Sequence, residues 1–291
     1  MRIAVTGASG FIGSAVCRGA VSAGWRVYGY GRRQWDLAAG PLTDPPAVDV
    51  VVHTAATVSD WTLTGPSDVD LLGNVLATFP HARLVHVSTS SVYDPSRPTV
   101  LATEDRAPVA AYPTRYAAEK AAAERLLAGR PETVILRPRA VYGPGDRTVL
   151  PRLLSAVRGG VLWLPGSGTH RQSFTHIDNM VAATLLACGA AASGVFNITD
   201  AEPVILVDVL RELLAARGMR ATIRHLPVAP ATALATAAAW AYRLVRSPTP
   251  PRLTRYALSQ LTVERTLDIT AARTVLRYTP APTTLDGAGS W

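Results

Sequence analysis

Ile3-Ala4-Val5-Thr6-Gly7-Ala8-Ser9-Gly10-Phe11-Ile12-Gly13 passes from a short apolar run into a glycine turn, and Ala/Val-rich helical spacing then continues through Ala23. That is the pattern of strand, turn and helix. Gly7 permits the tight turn, Gly10 lets backbone approach a pyrophosphate, and Gly13 allows the helix to pack closely on the strand. The helix N-terminus, beginning at Phe11 and Ile12, then faces the phosphates. The competing explanation is a glycine turn with a structural purpose only. The spacing is GxxGxxG, one residue longer in its first gap than GxGxxG.

Working outward, Arg26-Val27-Tyr28-Gly29-Tyr30 reads as a second strand, Val50-Val51-Val52-His53 as a buried one, Leu84-Val85-His86-Val87 as another and Val134-Ile135-Leu136 as a further one. Helical spacing intervenes over residues 67–79 and 112–129. Strands apolar on both faces and alternating with helices predict an α/β, doubly wound parallel sheet. Beyond Gly143-Pro144-Gly145 the pattern changes to helix, glycine-rich loop, a helix over Ile177–Cys188, a strand at Val195–Ile198 and then mostly helices. The expected division is a dinucleotide-binding Rossmann domain over 1–145, with 177–199 returning to it, and a smaller, mostly helical substrate lobe over 146–176 and 200–291.

The chain has 291 residues, 48% apolar and 17% charged, a profile that excludes disorder, collagen and coiled coil. Cys17 and Cys188 lie in Ala-rich apolar stretches and read as free buried thiols, not a disulfide framework. No basic segment followed by an apolar one opens the sequence, so the cytoplasm is the expected location. The apolar stretch between Pro230 and Arg243, 12 residues, is shorter than the roughly 20 needed to cross a bilayer, and membrane insertion is not expected. The formal charge of +8 is spread along the chain without a basic block, which disfavours a nucleic-acid partner. His53, His86, His170 and His176 lack metal-ligand spacing with acidic or Cys partners, so no metal is expected.

The 29 basic residues comprise 28 Arg and one Lys, Lys120. A surface ion pair accepts either residue, so the lone lysine singles out a position where a compact ammonium is needed and a guanidinium will not serve. It closes Tyr116-Ala117-Ala118-Glu119-Lys120, and i,i+4 spacing on a helix puts Tyr116 and Lys120 on one face. A tyrosine hydroxyl, with an ordinary pKa of about 10, is a poor base at neutral pH, and a nearby ammonium favours its phenolate.

The glycine turn and the Tyr-x-x-x-Lys pair together resemble the extended short-chain dehydrogenase/reductase family, which includes NAD(P)-dependent epimerases and dehydratases. The resemblance implies an NAD(P)-dependent oxidoreductase in which Tyr116 is the acid/base, Lys120 lowers its pKa and holds the nicotinamide ribose, and a hydroxyl after a preceding strand polarises the substrate oxygen. Val87-Ser88-Thr89-Ser90-Ser91-Val92-Tyr93 is the matching segment. The family pattern selects Thr89 for that hydroxyl, with Ser90 and Ser91 as alternatives one residue of register away. Val51–Ala56 resembles the strand whose end, Thr54, Ala55 and Ala56, passes the adenosine ribose. Arg137–Gly145 resembles the segment beside the nicotinamide, which implicates Pro138, Ala140 and Val141. Gly166–Gly168 and Arg171–Asn179 resemble the substrate-lobe loop and the helix that returns from it.

Two departures stand out. Only 12 residues separate Asp36 from Asp49, with Pro41, Pro45 and Pro46 among them, so the usual crossover helices are expected to be trimmed and the adenine side open. The family's active-site Asn falls at Asp68. At the end of the second strand, where an acid would accept from a ribose 2′-hydroxyl, stand Gly31-Arg32-Arg33; guanidinium forks there predict NADP(H), with Arg32 and Arg33 on the 2′-phosphate. NAD(H) is the alternative, with Asp36, followed by Leu37, serving the adenine side.

The expected reaction is carbonyl reduction or alcohol oxidation of a small molecule. A nucleotide-sugar epimerase using the same three residues is the alternative, and a non-catalytic NADP sensor is a third reading that Tyr116 and Lys120 argue against. Dehydration is disfavoured, because the sugar dehydratases of the family carry Asp-Glu where Ser90-Ser91 stand. For the substrate, Ser90, Tyr142, Arg147, Arg171 and an apolar wall at Trp61 are the candidates, the arginines for a diphosphate or carboxylate. A homodimer is left open.

Overall fold

The computed structural model of the chain describes residues 1–56, 65–245 and 254–291. Strands β1 (Arg2–Thr6), β2 (Arg26–Tyr30), β3 (Val50–His53), β4 (Arg83–Val87), β6 (Thr133–Pro138) and β12 (Gly194–Ile198) form one six-stranded sheet in the order β12-β6-β4-β3-β1-β2. All of its pairings are parallel, with Thr6 level with Tyr30 on one side and His53 on the other. The chain leaves β1 for the β2 edge and returns to pair β3 on the opposite side, so the order reverses at β1. Parallel α/β sheets bind ligands outside the carboxyl ends of the strands at such a point.

Alternation along the strands supplies both faces. Ile3, Val5, Val52, Val85, Val134 and Leu136 pack beneath α1 (Phe11–Ser22) and α5 (Ile177–Gly189), through Val16, Ala20, Met180 and Ala183. Ala4, Val51, Leu84 and Ile135 face α2 (Asp68–Thr78) and α3 (Arg115–Leu127), through Leu72, Val75, Ala123 and Leu127. Between β2 and β3 only a single turn of 3-10 helix, Leu37–Ala39, intervenes, which leaves β2 as an edge strand. The trimmed crossover is as the spacing predicts.

The remaining sheets are small. They comprise β13 (Val204–Ile205), β10 (Arg171–Gln172), β15 (Arg265–Leu267) and β5 (Thr99–Ala102) in that order; β11 (Thr175–His176) with β7 (Val141–Tyr142); and β14 (Thr222–Leu226), β9 (Val161–Pro165) and β8 (Val157–Arg158). The sequence pattern did not mark most of these strands, because they are two to five residues long and their partners are remote in the chain. Around them, α4 (Val149–Ser155) and α6 (Leu206–Ala216) close a second core, with Leu206, Leu210 and Leu213 against Leu162, Leu164 and Phe174. The α7 helix (Val228–Leu244) rests on Ala231 and Ala235 beside Leu258 of α8 (Arg255–Leu261), leaving Leu234 and Trp240 exposed. No helix among the described residues is long and apolar enough to cross a membrane. The last helix, α9 (Thr270–Val275), returns to the main sheet, where Ala272 and Leu276 join the core beside Phe196.

One buried cluster fixes α3 over the carboxyl ends of β4 and β6. Glu124 of α3 accepts from Arg137 of β6 at 2.6 Å and from the Ser88 hydroxyl at 2.5 Å. Arg137 spends its other donors on the carbonyls of Glu104 and Ala107 and on the Tyr93 hydroxyl. Both charged side chains are almost wholly buried, 1% and 3% exposed for Arg137 and Glu124. Removing one member of such a pair strands the other charge in a dry interior. Glu124→Ala is therefore expected to cost about 3–5 kcal/mol of stability, read from urea denaturation; a loss below about 1 kcal/mol, the range of an exposed pair, would contradict this role.

Candidate active site

The glycine turn is shaped by close approach. Gly7 has φ +74, and a Cβ there would lie 2.7 Å from the Ala55 nitrogen and 2.7 Å from Thr54 Oγ1. At Gly13 a Cβ would come within 2.2 Å of the Gly7 carbonyl oxygen. Thr54, whose hydroxyl donates to the Thr6 carbonyl at 2.7 Å, thus closes the turn from the end of β3, with half-buried Ala55 and Ala56 following. Gly10 caps α1 without a side-chain hydrogen bond, and no acid occupies the first turn. The amide donors around Phe11, Ile12 and Gly13 have no intrahelical acceptors, so this end of the helix fits an anion such as a pyrophosphate.

Beside it, the turn after β2 is folded by Gln34, whose side chain accepts from the Gly31 amide at 3.1 Å. A Cβ on Gly31 would touch Ser9 Oγ at 3.0 Å, so Arg32 and Arg33, both exposed, follow directly from the edge of the glycine turn. Asp36 is exposed and caps the short 3-10 helix by accepting from the Ala38 amide. The Leu37 side chain points into the core with Trp35 and Leu72, and its carbonyl accepts from the Asn74 amide at 2.7 Å. On the far side Gly145 passes Phe11, a Cβ there lying 3.7 Å from the ring. Pro138 ends β6, Ala140 takes the left-handed conformation at φ 45, and half-buried Val141 opens β7.

The α3 helix begins at Thr114, whose hydroxyl accepts from the Ala117 amide, and it packs against α2 and the Ser90–Val92 turn. Tyr116 is half-buried in its first turn. One turn on, Lys120 is 2% exposed; its Nζ donates to the Val87 carbonyl at 3.1 Å and stands 3.6 Å from Asp68 Oδ2. Burial pulls the Lys120 pKa below the ordinary lysine value, and Asp68 opposes that pull. The Asp68 amide donates to Glu119, which also pairs with Arg115, so the start of α2 is tied to α3. The Asp68 carboxylate is thus the counter-ion of the single lysine.

Beneath the lysine, His53 and His86 stack in adjacent strands at 5.4 Å. Burial, with the Lys120 charge nearby, pushes His53 down to about 3 and His86 well below its usual value, so both are neutral at physiological pH. His53 bonds Thr6 Oγ1 at 2.7 Å. Among the described residues no group of three or more His, Cys, Asp and Glu side chains is placed to hold a metal.

Thr89 follows β4 and is 9% exposed. Its hydroxyl accepts from the Ser91 amide at 3.2 Å and donates to Ser91 Oγ at 3.2 Å, and Ser91 in turn bonds the Tyr256 hydroxyl at 2.7 Å. Ser90 lines a small cavity there together with Arg139, Gln260 and Arg265. The other substrate candidates are not gathered to this place. Tyr142 is 1% exposed and donates to Asp200 at 3.0 Å, so its side chain serves the second core. Arg147 and Arg171 lie on the surface, and Trp61 falls outside the described residues. Sequence reasoning passed over Tyr256, Arg139 and Arg265; the signal it could have used is a second arginine, Arg139, two residues after Arg137 in an otherwise apolar strand end.

The Asp68–Lys120 pair carries a pH signature. The folded pKa of Lys120 lies below the unfolded value, so over that window the unfolded chain holds the extra proton and stability rises with pH. Asp68→Asn removes an opposing effect and widens the window downward. The variant is expected to lose about 3 kcal/mol near pH 7 and less near pH 10, where the lysine is shedding its proton in both states. Equal losses at both pH values, measured by urea denaturation, would rule out this pairing.

Comparison with known proteins gives the family and the fold. The model of the NAD dependent epimerase/dehydratase family matches residues 3–199. The 2-alkyl-3-oxoalkanoate reductase of Stenotrophomonas maltophilia (strain K279a) is 32% identical over 316 residues, covering 96% of this chain and 95% of that protein. A 4-hydroxy-2-methyl-3-oxo-4-farnesyl-3,4-dihydroquinoline-1-oxide ketoreductase of Stigmatella aurantiaca is 32% identical over 312 residues, covering 96% and 92%. The crystal structure of UDP-glucuronic acid 4-epimerase from Bacillus cereus in complex with NAD shares the fold, with a TM-score of 0.71 at 24% identity over 100% of this chain and 97% of that one. The chain belongs to the NAD dependent epimerase/dehydratase family and is an NAD(P)-dependent oxidoreductase of the extended short-chain dehydrogenase/reductase type.

Proposed function

We propose that the protein reduces a small-molecule ketone to a secondary alcohol with NADP(H), using Thr89, Tyr116 and Lys120. The observation that carries this reading is the placement of the chain's single lysine: buried, one helical turn from Tyr116, and anchored at the Val87 carbonyl two residues before Thr89. A reduced nicotinamide, when bound, supplies the hydride that the carbonyl carbon receives. Thr89 orients the carbonyl oxygen by turning its one hydroxyl proton from Ser91 Oγ to the substrate. Tyr116 gives that oxygen its proton, and the Lys120 ammonium stabilises the phenolate left behind.

Cofactor residues follow from the cradle. The glycine turn from Gly7 to Gly13 takes the pyrophosphate, Arg32 and Arg33 take a 2′-phosphate, and the segment Pro138–Val141 flanks the nicotinamide. Residues 1–145 with 177–199 form the cofactor side in this reading, and 146–176 with 200–291 the substrate side, save that Ile269, Ala272, Leu276 and Tyr278 pack in the core of the main sheet. The names of the relatives in Stenotrophomonas and Stigmatella support net reduction of a ketone over epimerisation.

Two measurements test the reading. Arg32→Ala and Arg33→Ala are each expected to raise the Kd for NADPH about tenfold, the scale of one charge-assisted contact, while barely moving that for NADH; wild-type protein that binds NADH as tightly as NADPH would defeat the cofactor assignment. Lys120→Arg is expected to keep the fold yet lower kcat/KM by about 100-fold or more, because a planar fork cannot take the ammonium's place. Tyr116→Phe should do the same while retaining cofactor affinity. Unchanged kcat/KM in Lys120→Arg, or turnover without net change at the reduced-nicotinamide absorbance band, sinks the mechanism, and the latter result favours an epimerase.

A further inference from the structure

Most of the protein's net positive charge comes from one stretch. Residues 213–263 hold seven arginines and neither Asp nor Glu, so they supply +7 of the formal +8, and the rest of the chain is close to balanced. The arginines form no block; the missing acids make the stretch basic. Arg220, Arg224 and Arg255 are exposed, and none of the three forms an ion pair among the described residues.

The helix inside this stretch, α7, is apolar on its outer side. None of the fifteen residues from Val228 to Tyr242 is charged, whereas α6, another surface helix, turns Asp208, Arg211 and Glu212 to solvent. One face of α7 buries Ala231 and Ala235. On the opposite face Ala233, Ala237, Trp240 and Leu244 recur at helical spacing, with Trp240 74% and Leu244 83% exposed. Ala229, Ala233, Ala237 and Trp240 share a shallow open groove with Arg255 of α8. The Thr232 and Thr236 hydroxyls beside it donate to carbonyls four residues back, so their protons are spent within the helix. Large apolar side chains gathered in the open on one helix mark a contact surface.

The two properties together select the partner. Arginines call for anions, and exposed Trp240 and Leu244 call for hydrocarbon; an anionic bilayer presents hydrocarbon directly beneath its phosphates. A second copy of the chain would set one arginine-rich stretch against another. Nucleic acid would offer phosphates but no hydrocarbon for the leucine. A spanning arrangement is excluded for α7, which is not long and apolar enough to cross a membrane.

We propose that α7 lies flat on an anionic phospholipid surface, with Trp240 and Leu244 at the boundary of headgroups and acyl chains and Arg255 on a lipid phosphate. The protein is then held at the membrane peripherally, without a spanning segment. This inference is independent of the ketone reduction proposed above.

Cosedimentation of the full chain with lipid vesicles tests it. Vesicles of equal parts phosphatidylglycerol and phosphatidylcholine are expected to bind about tenfold or more tightly than phosphatidylcholine alone, and salt at about 1 M, where the Debye length is about 3 Å, should remove the difference. Trp240→Gln combined with Leu244→Gln should weaken binding about tenfold or more, and Arg255→Gln about fivefold, the effect of one basic residue near the surface. All three side chains are exposed, so the variants should keep the wild-type Tm. As a second readout, phospholipids with brominated acyl chains should quench the tryptophan emission of the wild type, and the quenching should fall in Trp240→Phe. Absent binding, equal binding to neutral and anionic vesicles, or binding unchanged by the Trp240 and Leu244 substitutions overturns the proposal. So does a dimer that those substitutions dissociate in sedimentation velocity, since it assigns the outer face of α7 to a second copy.

Discussion

Lys120 is a charge held inside the protein, and its burial sets terms for everything around it. An ammonium removed from water needs a partner, and the chain provides the Val87 carbonyl from β4 and the Asp68 carboxylate from α2. Each partner lies on a different element, so the pair can form only when α2, α3 and β4 are correctly assembled. The same helix carries Glu124 one turn further, bonded to Arg137 and Ser88. Tyr116, Lys120 and Glu124 therefore form one stripe at i, i+4 and i+8, with Tyr116 at one end and the Glu124 anchorage at the other.

That stripe gives Asp68 a meaning beyond departure from the family pattern. An Asn there would offer an uncharged amide, whereas a carboxylate offsets the desolvation of Lys120 and helps to keep it charged. The neighbouring His53 and His86 add no competing charge, since burial keeps them neutral. The lysine is thus the main local source of positive potential beneath the tyrosine. Exchanging it for arginine would alter shape and hydrogen bonding even though the formal charge survives.

The buried arginines are satisfied in two ways. Arg137 is paired, saturated and central to the attachment of α3. Arg139 and Arg265 are just as hidden and form no ion pair among the described residues; Arg265 gives all of its donors to main-chain carbonyls, with the Tyr256 and Asp94 charges acting on it.

By itself the sequence determined the parallel sheet, the glycine turn, the trimmed segment after β2 and the placement of Tyr116 and Lys120 one turn apart on a helix. These features are local: strand composition, glycine spacing and i,i+4 periodicity act over a few residues, so the linear pattern carries them. The shortage of residues between Asp36 and Asp49 likewise forbade a full crossover, and a single turn of 3-10 helix stands there. Only the tertiary structure decided what surrounds the site. Thr89, Ser91 and Tyr256 are joined across more than 160 residues of sequence, Arg139 and Arg265 from remote segments line one small cavity, and Tyr142 turns away to Asp200. The short strands that bring these groups together have almost no periodicity of their own. Their register comes from partners distant in the chain, and the charge balance of a buried side chain depends on neighbours that only folding supplies.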